Sequence, residues 1–112
     1  MVGTTAADRR LAVYGTLAPG EPNHHQLAGL DGRWLAGEVN GRIFASGCGT
    51  HKALTLDPSA PPVAVRIFES ADLPDHWSRL DDFEGESYRR VVTDVTTDEG
   101  QRPAWIYVAA NG

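Results

Sequence analysis

Only one stretch of this chain repeats its apolar residues at a helical period, ADLPDHWSRLDDFEG at 71–85. Leu73, Trp77, Leu80 and Glu84 fall at i, i+4, i+7 and i+11, so they share one face. Ser70 or Asp72 can cap the start, Pro74 fits the first turn, and Gly85 stops the helix. The 12 glycines and 7 prolines argue for many turns between short elements, which makes the remainder mostly strand.

LAVY at 11–14 predicts a short buried strand. Strands at 33–39 and 42–44 are separated by Asn40-Gly41, the dipeptide that most favours a tight hairpin turn because both residues tolerate positive φ. Another strand, 52–56, is closed by DPSAPP at 57–62, which no helix could cross. At 63–68 apolar residues alternate with a second face, the period of a strand. After the helix, 88–96 carries Val91, Thr93 and Val95 on one face, and Asp98-Glu99-Gly100 turns the chain into a last strand at 104–109. The order is strands, one helix, two strands: an α+β domain in which a closed or half-closed barrel hides the strand edges. Residues 1–9 are small, polar and aperiodic and read as a disordered tail, with one domain over 10–112.

Charge and cysteine content narrow the partners. Ten basic against fifteen acidic residues give a formal charge of -5, which repels a phosphate backbone, so nucleic acid is not expected. No apolar run approaches the roughly 18 residues needed to cross a membrane, and MVGTTAADRR lacks the apolar stretch of a signal peptide. Cys48, the single cysteine, has no internal partner for a disulfide, which agrees with a reducing compartment. These features together predict a cytoplasmic protein, monomeric or homodimeric, with neither nucleic acid nor membrane as partner.

Three chemistries compete for the loop after the first strand. Gly15-Thr16-Leu17-Ala18-Pro19-Gly20 opens like a phosphate loop, but Glu21 and Pro22 stand where Lys and Ser/Thr must reach phosphate and magnesium. A metal site would rest on His24 and His25. Adjacent histidines point in different directions and no zinc-ligand spacing occurs, so they read as exposed or capping residues of a helix opened by Asn23. There remains a backbone pocket, where a glycine at a strand end lets a ligand approach and successive N–H groups meet a carboxylate or oxyanion. A plain strand-to-loop turn is the alternative.

Glu84 is the polar residue that breaks the helix's apolar face. Directed inward, it loses hydration, and its place among the unpaired carbonyls of the last turn raises its pKa further, which suits proton transfer near neutral pH. If instead the helix frays at Phe83, Glu84 swings out to Arg89 or Arg90. Asp75, Arg79, Asp81, Asp82 and Glu86 read as the solvated face. Tyr88 and Tyr107 read as core residues with hydroxyls at the rim, or as ligand contacts.

YGTL at 14–17 followed by LDDFEGESYRR at 80–90 resembles the gamma-glutamylcyclotransferase superfamily, which carries Y-G-S-L after its first strand and L-D-x-x-E-G with a downstream Tyr and Arg after its helix. The likeness runs over 11–108 and includes Asn23-His24 and AWIYV; Thr16 stands where Ser is usual. The resemblance implies a small mixed β-barrel with flanking short helices. It also implies cyclisation of the gamma-glutamyl group of a gamma-glutamyl amine or amide to 5-oxoproline, with release of the amine. Carried over by residue, Tyr14, Gly15, Thr16 and Leu17 hold the glutamyl moiety, with Tyr88 and Tyr107 as further substrate-binding candidates, and Glu84 is the general acid/base. Neither metal nor organic cofactor is implied. A binding module on the same fold, holding a small carboxylate-bearing ligand without turnover, is the rival reading.

Overall fold

The computed structural model describes residues 6–14, 27, 29–46, 51–86 and 88–110. Six strands are formed: β1 (Arg10–Val13), β2 (Arg33–Ser46), β3 (His51–Leu56), β4 (Pro62–Glu69), β5 (Tyr88–Thr97) and β6 (Gly100–Ala109). Their order is β3-β2-β4-β1-β6-β5, and a further pairing of β2 with β5, Gly37 opposite Thr97, closes five of them into a barrel. The β1–β6 pair is parallel and the others are antiparallel, so the barrel is mixed.

Strand alternation sorts the apolar residues into two cores. Ala12, Val65, Ile67, Val95, Ala104, Ile106 and Val108 fill the barrel. Leu11, Val13, Phe68 and Tyr107 point outward and meet Leu73, Trp77 and Leu80 from the helical segment. β1 thus has both faces covered, which is why so short an apolar run holds its place at the centre of the sheet.

Asn40-Gly41 is not a hairpin turn. β2 runs straight through it and changes partner there: Asn40 pairs with Pro62 of β4, and Gly41 with Leu56 of β3. The loop between β3 and β4 is fastened to this point, Asn40 Nδ2 donating to the Ala60 carbonyl at 2.8 Å and Gly41 N–H to that of Pro61 at 3.2 Å. Glycine is needed for close approach, since a Cβ at Gly41 would lie 2.6 Å from the Thr55 carbonyl oxygen. β6 also starts earlier than expected, at Gly100; Pro103 is tolerated because β1 pairs with β6 only at Trp105 and Ile106.

The expected helix is split into a 3-10 turn (Leu73–Asp75) and α1 (Trp77–Glu84). Ser70 Oγ accepts the Asp72 N–H at 3.0 Å, just ahead of the 3-10 turn, and neither predicted capping residue caps that turn or α1 with its side chain. Leu73 and Leu80 are nevertheless fully buried and Trp77 nearly so, and the predicted face survives the break. Gly85, at φ 79°, ends α1 with its N–H on the Asp81 carbonyl.

The end of the supposed tail is also folded. Ala7–Arg9 forms a 3-10 turn with Ala7 buried, and Asp8 receives both indoles: Trp77 Nε1 on its carbonyl at 3.0 Å and Trp105 Nε1 on its carboxylate at 2.7 Å. Burial of two aromatic residues needs those N–H groups satisfied, and Asp8 satisfies both. Among the described residues no helix is long and apolar enough to cross a membrane.

Candidate active site

Four of the residues singled out from sequence lie in described segments, and they converge. Tyr14 follows β1, Glu84 ends α1, Tyr88 opens β5 and Tyr107 lies on β6. Gly15, Thr16 and Leu17 lie outside the described residues, as do His24, His25 and Cys48. Tyr14 donates its hydroxyl to the Tyr107 backbone carbonyl, which ties the end of β1 to β6. Burial raises the Tyr14 pKa well above the usual phenol range, with Tyr88 and then the Glu84 charge adding to it. Burial is also the main cause that raises Tyr107, followed by its bond to Asp81; the Glu84 charge reaches this hydroxyl too. Both phenols are therefore protonated throughout the ordinary pH range.

Glu84 is directed into this cluster, as the helical spacing predicts. It is half-buried, and desolvation pushes its carboxyl up to about 7. Neither arginine considered as a partner takes it. Arg90 instead holds Asp81 through two bonds, Nε to Oδ1 at 2.8 Å and Nη2 to Oδ2 at 3.1 Å. Its guanidinium lies 4.4 Å from the Trp77 ring centre and 4.3 Å from that of Trp105. Arg90 is thereby spent on structure.

Asp81 is exposed, on the solvated face where the sequence reading put it, yet it carries contacts that reading did not foresee. Besides Arg90 it accepts the Tyr107 hydroxyl at 2.7 Å, and the Arg90 bond keeps its carboxyl below the usual range. Its spacing contained a hint: Asp81 is i+4 from Trp77 and i−3 from Glu84, on the flank of the buried row.

Asp81, Tyr88, Arg89, Arg90, Trp105 and Tyr107 line a cleft of about 300 Å³. A larger hollow of about 490 Å³ surrounds Arg10, Arg33 and Glu69 at the other end of β1. There Glu69 is already bonded to both arginines, which makes that hollow a salt-bridged surface; Glu84 does not line the smaller cleft, but its charge reaches Tyr107, which does. An arrangement of this kind can bind a small polar molecule and pass a proton to and from it.

Solved structures share this fold. The chain superimposes on YkqA from Bacillus subtilis with TM-score 0.72 and 29% identity, covering 90% of this chain and 35% of that one. It thus spans about a third of the bacterial protein's length. An AIG2-like protein from Mus musculus gives TM-score 0.72 at 23% identity, with 93% and 78% of the two chains covered. For PH0828 from Pyrococcus horikoshii the TM-score is 0.62 at 24% identity, over 90% and 77%. No curated protein matches the sequence. The sequence matches the family described as "Gamma-glutamyl cyclotransferase, AIG2-like" over residues 11–112, from the first strand to the last residue, and the chain belongs to that family.

Proposed function

We propose that this protein cyclises the gamma-glutamyl group of a gamma-glutamyl amine or amide to 5-oxoproline and releases the amine, with Glu84 as general acid and base. The observation that carries the reading is the Glu84 carboxyl, desolvated to a pKa of about 7 and without a hydrogen bond or ion pair among the described residues. A site that only held an anionic ligand would have no use for such a group. Family membership supports the reaction class.

The steps follow from the substrate's own chemistry. Ionised Glu84 takes a proton from the α-ammonium, and the freed amine nitrogen attacks the γ-carbonyl carbon of the same molecule. A C–N bond forms, the carbonyl electrons move to oxygen, and a five-membered ring closes. Collapse of that oxyanion breaks the bond to the leaving nitrogen, which takes the proton back from Glu84; the regenerated carboxylate then accepts the second proton that the ring nitrogen sheds on becoming an amide and passes it to the departing amine, which leaves as its ammonium. Because attack is intramolecular, holding the substrate folded supplies much of the acceleration. Backbone N–H groups of Gly15, Thr16 and Leu17 are assigned to the glutamyl carboxylate and the oxyanion, with the Tyr14 and Tyr88 rings as walls. Tyr107, its hydroxyl given to Asp81, backs the site from the barrel side.

The test is Glu84→Gln with a panel of gamma-glutamyl compounds, following 5-oxoproline by mass. The amide is nearly isosteric but cannot accept the ammonium proton, so kcat should fall by about 10²–10⁴ while ligand binding persists. Full turnover in the variant would move the proton carrier elsewhere. A wild type that binds gamma-glutamyl compounds and turns over none of them would make this a binding module.

A further inference from the structure

We propose that Asp81 is a positioning residue for Glu84, fastening the last turn of α1 to β5 and β6 so that the Glu84 carboxyl stays in the cluster of Tyr14 and Tyr107. The inference rests on the acid/base reading of Glu84 and adds to it the device that keeps that carboxyl in place.

The need for such a device comes from the helix itself. α1 has eight residues, too few to be stable alone, and Glu84 is the last of them. The stripe of Trp77 and Leu80 anchors only the first turns. Helix ends fray, and a frayed end would return Glu84 to water. An aspartate in the last turn is itself unfavourable, because its charge adds to the negative end of the helix dipole. Its presence there calls for compensation, and three contacts supply it.

Arg90 of β5 meets both Asp81 oxygens, at 2.8 and 3.1 Å, and Tyr107 of β6 donates to Oδ1 at 2.7 Å. The Asp81 backbone carbonyl accepts the Gly85 N–H at 3.0 Å, closing the helix immediately after Glu84. Arg90 cannot drift, since it lies between Trp77 and Trp105, whose indoles are both bonded to Asp8. The Tyr107 carbonyl takes the Tyr14 hydroxyl, so the same tether reaches the start of the YGTL loop. One side chain therefore ties the end of the helix that carries the general acid/base to the strand that holds Tyr14.

The experiment reads Glu84 directly. The groups that face it are Tyr14 from the end of β1 and Tyr107 from β6, with Tyr88 of β5 beside Tyr14 and Asp81 on its own helix. The full-length protein, labelled with 13C at glutamate side chains, is titrated by NMR, and the Glu84 signal is assigned from its loss in Glu84→Gln. In Asp81→Asn the Glu84 midpoint should fall by about one pH unit or more towards its ordinary value, as the carboxyl becomes hydrated. Tyr107→Phe keeps the Asp81 charge and removes one tether; its shift should be smaller and in the same direction, which separates geometry from simple loss of charge. With a gamma-glutamyl substrate, Asp81→Asn should lower kcat about tenfold or more with KM nearly constant, and Asp81→Glu should recover most of the loss. A merely destabilised fold would lose active protein without moving the midpoint. If Asp81→Asn does not fold, Tyr107→Phe decides by the same criterion. A Glu84 midpoint unmoved in the folded variants would overturn the proposal. Turnover by Glu84→Gln would instead overturn the acid/base reading, and the titration would still report whether Asp81 positions that carboxyl.

Discussion

Two glutamates stand near opposite ends of β1 and titrate in opposite directions. Glu69, beside Arg10 at the start of the strand, accepts Arg10 Nε and Arg33 Nε, each at 2.7 Å, and these bonds hold its carboxyl below the usual range. Glu84 acts on Tyr14, just past the other end, and burial raises it to about 7. Both are half-buried, so exposure alone does not explain the difference. What separates them is the supply of donors. Arginines from two strands reach Glu69, while Arg90 is claimed by Asp81. Withholding a counter-charge is as much a structural act as providing one.

Activity should break the symmetry most visibly. If Glu84 must be ionised to accept the ammonium proton, kcat/KM should fall about tenfold for each pH unit below about 7, and the limb should persist unchanged in Glu69→Gln. A limb that stays near pH 4–5 would assign the base to an ordinary carboxyl.

Stability should follow with opposite signs. A carboxyl whose pKa is raised on folding binds its proton more tightly in the folded state, so Glu84 makes the protein less stable as pH climbs from about 4.5 to about 7. Glu84→Gln removes this cost: at pH 8 the variant should be more stable by about 1–3 kcal/mol, and at pH 4 the gain should vanish, as denaturant melts at the two pH values would show. A variant that gains equally at both pH values would place the effect in packing instead of charge.

Glu69 should give the smallest change. Its folded pKa is lowered, so its contribution is present above its unfolded value near 4.5 and is lost as pH falls through the folded value. Because Arg33 is largely solvated and only Arg10 is half-buried, Glu69→Gln should cost about 1 kcal/mol at pH 7, and nothing at pH 2; Tm at both pH values measures this. A loss of several kcal/mol would mean that this network, and not the site, is the barrel's main electrostatic support.

Much of the local structure was legible. The buried run LAV, the row Leu73, Trp77, Leu80, Glu84 and the turn at Gly100, whose φ is 95°, each depend on neighbours within a few residues, and each was read at its place. The family was legible from YGTL and LDDFEG for the same reason: short motifs carry their chemistry locally. Asn40-Gly41 misled because its local preference, a hairpin, was overruled by β3 and β4 competing for the two halves of β2. Asp8 was misread because its partners lie 69 and more residues away, and Asp81, exposed as expected, gave no sign of its partners on two strands.

The sequence by itself determined which residues are apolar, at what period, and hence that one short helix packs a carboxyl-ended face onto a set of strands. It did not determine whether that carboxyl would be charged. A pKa depends on which donors the folded chain brings within a few ångströms and which it keeps away, and only closure of the barrel brought Arg90 to Asp81 and Arg10 and Arg33 to Glu69. Periodicity is a property of neighbours along the chain, whereas protonation is a property of neighbours in space, and the second is written only when the first has folded.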